Sequence, residues 1–133
     1  MKVEREVLST QECLQLMAGV TVGRIGYTSH AMPAILPVRF RIDEDGAVVL
    51  EEGAESELVR AVDGAVIALE TGEVSGTDGN GWSVTVLGRA GVTPAPPTGP
   101  GHPADADEVL IRILPEVVTG RRIKSPPVSV LLP

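Results

Sequence analysis

The chain has 133 residues, 43% of them hydrophobic, which suits one folded domain with one core rather than a disordered chain. A net charge of −7 excludes the basic surface that nucleic acid requires, and the single Cys13 excludes an internal disulfide or a cysteine-based metal cluster. No apolar run reaches the roughly 20 residues of a membrane span, and the charged start Lys2 to Glu6 is no secretory leader, so the expected location is cytoplasmic.

The first predicted element is a helix of about three turns. Ser9 and Glu12 have the spacing of a capping box, Cys13, Leu14, Met17 and Val20 recur on one face, and Gly19 stands near the stop. Cys13 reads as a packed core thiol, because no histidine lies near it in sequence. Beyond the helix the apolar period changes to two, the signature of half-buried strands, over Val22 to Thr28, Ala34 to Ile42, Ala47 to Glu51, Ala65 to Thr71, Trp82 to Thr93 and Glu108 to Leu114. Ser29 to Pro33 and Asp43 to Gly46 have the length and composition of hairpin turns, which makes the pairing antiparallel. Room for a second helix exists only at Ser56 to Val62, too little for the crossovers of a parallel sheet. The predicted fold is a mainly β domain spanning residues 1 to 133, a six-stranded antiparallel barrel with small helices, whose closure removes exposed strand edges.

Gly72 to Gly81 is a glycine-rich acidic loop, and Thr93 to Asp107 is a proline-rich surface excursion with extended character. Residues 124 to 133 form a C-terminal tail. Tyr27, Phe40 and Trp82 are the only aromatic residues, so the core must be built from Val, Leu, Ile and Ala. His30 falls in a turn and His102 in the proline-rich loop, without a carboxylate or thiol at ligand spacing, and no metal site is expected. The chain has no nucleophile elbow, no Ser-His-Asp pattern and no phosphate-cradling glycine fingerprint.

Ala34 to Ile42 is the stretch richest in functional signal. Ala34, Leu36, Val38, Phe40 and Ile42 alternate onto one face, expected to be core, while Ile35, Pro37, Arg39 and Arg41 share the other. A proline that cannot donate to a neighbouring strand and two guanidinium groups suited to anions mark that second face for a ligand or a partner chain. Trp82, opening a strand after the glycine-rich loop, either seals a barrel end or stacks over a bound ring.

Several strings, in this order, resemble the pyridoxamine 5′-phosphate oxidase-like proteins of the FMN-binding split-barrel superfamily. They are Leu8-Ser9, Val22-Gly23-Arg24-Ile25, Pro33 through Phe40, Gly81-Trp82-Ser83-Val84 with Gly88-Arg89-Ala90, and Ile111-Arg112-Ile113 followed by Val118 through Ile123. The resemblance covers about Leu8 to Ile123 and implies a split barrel that forms a homodimer, with two flavin sites at the subunit interface. It places Pro37, Val38, Arg39 and Phe40 beside the isoalloxazine ring of FMN, and Ser56 at the phosphate. Trp82 is the further residue assigned to the cofactor. A cation near the flavin N1 and C2 carbonyl stabilises the reduced ring, a role open to Arg39 alongside an ion pair across the dimer.

The chain departs from the family pattern at Glu57, where a lysine is usual. A carboxylate there repels a phosphate of roughly −1.5 to −2 charges, and Glu51, Glu52 and Glu55 add to that field. Arg39, Arg41, Arg60, Arg121 and Arg122 are the cations available to compensate. The leading expectation is an FMN-dependent oxidoreductase acting on an unknown small molecule. The alternatives are a non-catalytic split-barrel dimer with a decayed or repurposed pocket, or a binder of deazaflavin or haem.

Overall fold

The computed structural model describes residues 4 to 96 and 107 to 124. Ten elements follow one another: β1 (Glu4–Val7), α1 (Thr10–Ala18), β2 (Val22–Ser29), β3 (Met32–Arg39), β4 (Arg41–Ile42), β5 (Val48–Gly53), α2 (Glu57–Val62), β6 (Val66–Val74), β7 (Gly81–Pro94) and β8 (Glu108–Lys124). All strand pairs are antiparallel, in the order β3-β2-β6-β7-β8-β5-β4, and β1 pairs with β8 as well. The two ends of this order approach each other where β3 runs near β5 without a ladder between them. The sheet is a split barrel.

Inside lie the branched aliphatics that the composition demanded: Ile25, Leu50, Leu69, Val84, Val86, Ile111 and Ile113 are fully buried. The helices cover the barrel as their sequences predict. Ser9 closes the capping box of α1 with Glu12, and the helix buries Cys13 and Met17. Burial pushes the Cys13 thiol pKa up, which suits a packing role. Ser56 caps α2 by accepting from the Val59 amide, and Leu58, Val59 and Val62 turn inward.

Among the described residues the strands number eight rather than six, and each addition has a cause. The predicted strand Ala34 to Ile42 is divided at Phe40, whose N–H donates to the Thr21 carbonyl at 2.8 Å while its ring enters the core. The chain turns this corner, so Arg41 and Ile42 pair with Val49 and Val48 instead of extending β3. Of the face expected to be core, Val38 and Phe40 are buried, but Leu36 is 38% exposed, because β3 is an edge strand with β2 on one side only. The charged start becomes β1 by pairing with the end of β8, where Lys124 Nζ meets Glu6 Oε2 at 2.8 Å.

Strand β8 does not stop at Leu114. A bulge opposite Leu87 and Gly88 absorbs Pro115-Glu116, and pairing then resumes to Lys124. The sequence between β2 and β3 makes a two-residue hairpin in which His30 (φ 51°) and Ala31 (φ 65°) are both left-handed, so β3 begins at Met32. The glycine-rich segment is a self-tied hairpin tip, with Ser75 N donating to Asn80 O at 2.7 Å and Asn80 N donating to Asp78 Oδ1 at 2.9 Å. Of the proline-rich excursion, Thr93 and Pro94 belong to β7, and residues 97 to 106 lie outside the described residues, as does the tail beyond Lys124. No helix among the described residues is long and apolar enough to cross a membrane.

Gly120 marks where α1 meets the sheet most closely. A Cβ there would run into Cys13 Sγ and come within 3.3 Å of Leu8 Cδ1 and Val84 Cγ2. Gly120→Ala is expected to destabilise the fold by about 1–3 kcal/mol through overpacking. Cys13→Ala opens space at that contact, so the double variant should melt higher than the sum of the single losses predicts, by at least about 0.5 kcal/mol in a denaturant cycle. Additive losses would show that the helix does not press on β8 here.

Candidate functional site

A cleft of about 430 Å³ lies in the split, lined by Pro37, Val38, Arg39, Phe40, Arg41, Val49, Glu51 and Glu52. Four of the six cofactor residues expected from sequence therefore share one cavity. β3 supplies one wall through Pro37 and Arg39, which alternate outward, and β5 supplies the other through Val49 and Glu51. Because β3 pairs only with β2, the backbone N–H and C=O groups along its other edge face the split. Pro37 has no N–H, which interrupts that edge inside the cleft.

The charges of the cleft divide into spent and unspent groups. Arg41 is spent, with Nη1 3.1 Å from Glu51 Oε1 and Nε 3.5 Å from Asp43 Oδ1. Arg39 and Glu52 have neither an ion pair nor a side-chain hydrogen bond among the described residues. One cation on β3 and one carboxylate on β5 thus remain for a ligand. The hairpin carrying Glu51 and Glu52 is braced from outside, where Asp45 accepts from Arg112 of β8 and from the Ala47 amide.

Ser56 and Trp82 lie outside this cleft. The Ser56 hydroxyl is engaged as the N-cap of α2 at 3.1 Å from the Val59 nitrogen. Glu57 belongs to a second depression of about 550 Å³ lined by Thr28, Ser29, His30, Glu57, Arg60 and Ala61. There Glu57 Oε1 accepts from Ser29 Oγ at 2.8 Å and lies 3.9 Å from His30 Nε2, an approach across 27 positions that no local spacing reveals. Trp82 is 9% exposed, joins the main core at one barrel end, and borders a third depression of about 340 Å³ beside Asn80, Arg122 and Lys124. The five candidate arginines do not converge within one chain: Arg39 and Arg41 reach the cleft, Arg60 donates to the Glu55 carbonyl, Arg121 to the Gly120 carbonyl, and Arg122 stands opposite Trp82. Val49, Glu51 and Glu52 as a cleft wall were missed from sequence. Their signal was the turn Asp43 to Gly46, which folds β5 back along β4 and leaves Val49, buried with Ala47 and Leu110, on the same face as the exposed Glu51.

The Ala47 amide, with Arg112 second, holds the Asp45 carboxyl pKa below the ordinary aspartate value. A depressed folded-state value means that this tie contributes above the ordinary pKa of about 3.9 and is lost as pH falls through the lower folded value. In an NMR titration the Asp45 carboxyl should therefore report a midpoint below 3.9, and Arg112→Gln should move it upward; an unmoved midpoint would remove Arg112 from the brace.

Comparison with known proteins agrees with this fold. The model of the pyridoxamine 5′-phosphate oxidase family matches residues 9–122. The uncharacterized protein Rv0080 of Mycobacterium tuberculosis is 34% identical over 133 residues, covering 90% of this chain and 87% of its own. Among solved structures, the FAD binding protein of Mycobacterium smegmatis superposes with a TM-score of 0.71 at 28% identity, over 90% of this chain and 98% of that one. A FAD-binding protein of Mesorhizobium loti gives 0.72 at 22% identity over 93% and 100% of the two chains, a likeness of fold. By the extent of the family match and by its split barrel, the chain belongs to the pyridoxamine 5′-phosphate oxidase family.

Proposed function

We infer that this chain is a flavin-binding oxidoreductase that seats the isoalloxazine ring of FMN or FAD in the cleft between β3 and β5 and acts on a small molecule. The observation that carries this reading is Arg39, an unspent guanidinium on an edge strand whose backbone polar groups face the same cavity. A flavin ring has a polar pyrimidine edge that accepts and donates hydrogen bonds, and an apolar dimethylbenzene edge. Free backbone groups along β3 suit the first, and Val38, Phe40 and Val49 suit the second. The 28% identical protein from Mycobacterium smegmatis, a FAD binding protein, supports the same ligand class.

Bound flavin would supply the hydride and electron chemistry, and the chain supplies position and charge. Arg39 holds a positive charge where negative charge develops on reduction, which favours the reduced ring. Arg41, neutralised by Glu51 and Asp43, fixes the opposite wall rather than adding charge to it. Glu52 accepts from a donor of the ligand, and its negative charge disfavours a second anion in the cleft.

Titration of the purified protein with FMN and with FAD, followed by flavin fluorescence, tests this. Saturable quenching at micromolar flavin is expected, and Arg39→Ala should weaken it by about 10–100-fold, the cost of one charge-assisted hydrogen bond. Arg41→Gln should weaken it less, since that guanidinium is already paired. Flavin fluorescence unchanged at high micromolar protein would overturn the proposal.

A further inference from the structure

The ring of a flavin and a phosphate at the end of its tail ask for different things, and the cleft supplies only the first. A phosphate of roughly −1.5 to −2 charges needs cations or free N–H donors around it. Of the 11 Lys and Arg residues of the chain, only Arg39 and Arg41 line the cleft. Arg41 is held between Glu51 and Asp43, so Arg39 is the one guanidinium there without an ion pair among the described residues. One side chain cannot stand at both ends of the ligand.

Both ends of the β5 wall are acidic. The chain enters it from the turn Asp43-Glu44-Asp45 and leaves it, past Glu52, through Gly53-Ala54 to Glu55, Ser56 and Glu57 at the head of α2. The groups at that head are already committed. Ser56 Oγ accepts from the Val59 amide at 3.1 Å, Arg60 Nη1 donates to the Glu55 carbonyl at 2.8 Å, and Ser29 Oγ donates to Glu57 Oε1 at 2.8 Å. The first turn of α2 contains Glu57 itself, so the positive end of this short helix already faces a carboxylate. Along the wall and the head of α2, the guanidinium groups of Arg39, Arg41 and Arg60 are outnumbered by the carboxylates of Asp43, Glu51, Glu52, Glu55 and Glu57. A phosphate leaving the cleft toward either end of β5 meets excess negative charge.

We propose that the cleft favours a flavin whose tail is an uncharged polyol, so that riboflavin binds more tightly than FMN. The inference rests on the flavin reading and adds to it the class of tail. A ribityl chain is a row of hydroxyl donors, and a carboxylate is the strongest acceptor a protein can offer them. Glu52 lines the cleft with no ion pair among the described residues and takes that role. A terminal phosphate turns the same rim from acceptor into opponent. The opposition is one of charge, so it reaches across the cleft at a Debye length of about 30 Å in about 10 mM salt and is screened at about 3 Å in about 1 M salt. FMN and FAD are then held by the ring, against the charge of their tails.

Parallel fluorescence titrations of the purified protein with riboflavin and with FMN test this, because the ring is common to both and only the phosphate differs. In about 10 mM salt riboflavin should bind about tenfold more tightly, and in about 1 M salt the ratio should fall to about threefold or less. Replacing Glu55→Gln and Glu57→Gln together keeps the side-chain shapes and removes two charges that lie outside the cleft lining. That double variant should lose most of the preference in low salt while its riboflavin affinity stays within about twofold. Far-ultraviolet circular dichroism checks that it is folded, and if it is not, the salt series on the unaltered chain decides. FMN binding as tightly as riboflavin in low salt, a preference that salt leaves unchanged, or one that survives in the folded double variant overturns the proposal and leaves the flavin reading standing. Failure of both compounds to be quenched overturns the two together.

Discussion

The structure depends on β8 pairing along its whole length with three different strands. Its first half is shared between β5 and β7, and its second half between β7 and β1, so one strand joins the cleft hairpin to the rest of the barrel. Such sharing works only if the correct side chains point inward on both halves. Before the bulge Ile111 and Ile113 face the core, and after it Val118 and Gly120 do, which is a change of phase from odd to even positions. Without the extra residue at Pro115-Glu116, Val117 and Thr119 would turn inward and Cys13 would lose its place against Gly120. The same phase change leaves Val117 outward, in line with Leu87.

With β8 committed to both sides of the barrel, closure fails between β3, at one end of the strand order, and β5, which lies next to β4 at the other. An unpaired edge in a valine-rich sheet invites aggregation, and this one is managed by Pro37, by Arg39 and Arg41, and by the acidic hairpin facing them. The features that blunt the edge also give it groups suited to a ligand. Polar backbone, one unspent cation and a short apolar wall occur together only because the barrel is split there.

The alternation of apolar residues made most of the fold legible in the sequence, because burial on one side of a strand leaves a period of two that local context rarely hides. The capping box of α1 was equally plain, since Ser9 and Glu12 act within one turn. Three features were not legible, each for a non-local reason. The corner at Phe40 needs the carbonyl of Thr21, the charged β1 gains strand character only by lying on β8, and the bulge at Pro115 is defined by its partner Gly88. In the cleft, the β3 residues were evident from the proline and arginine in an apolar strand. The β5 wall was not, since its acidic residues read as a charge run until the turn at Gly46 folded them opposite Arg41.

The acidic stretch Glu51 to Glu57 is electrostatically less uniform than its sequence suggests. Glu51 is neutralised by Arg41, and Glu57 holds the hairpin residue Ser29 in a separate depression, so of these carboxylates only Glu52 lines the cleft without an ion pair among the described residues. Against it stands Arg39, which brings the cavity close to neutrality. A neutral ring therefore meets no net repulsion along β3, whereas a phosphate dianion placed near α2 meets Glu55 and Glu57 with only Arg60 to offset them, and that guanidinium is turned to the Glu55 carbonyl. On the proposed reading, Glu57 in place of a basic residue would act on the phosphate end of a flavin and leave the ring end untouched. A flavin seated as proposed would draw its affinity from the ring rather than the phosphate, so the wall at Pro37 and Arg39 is the part of the cleft on which that binding would most depend.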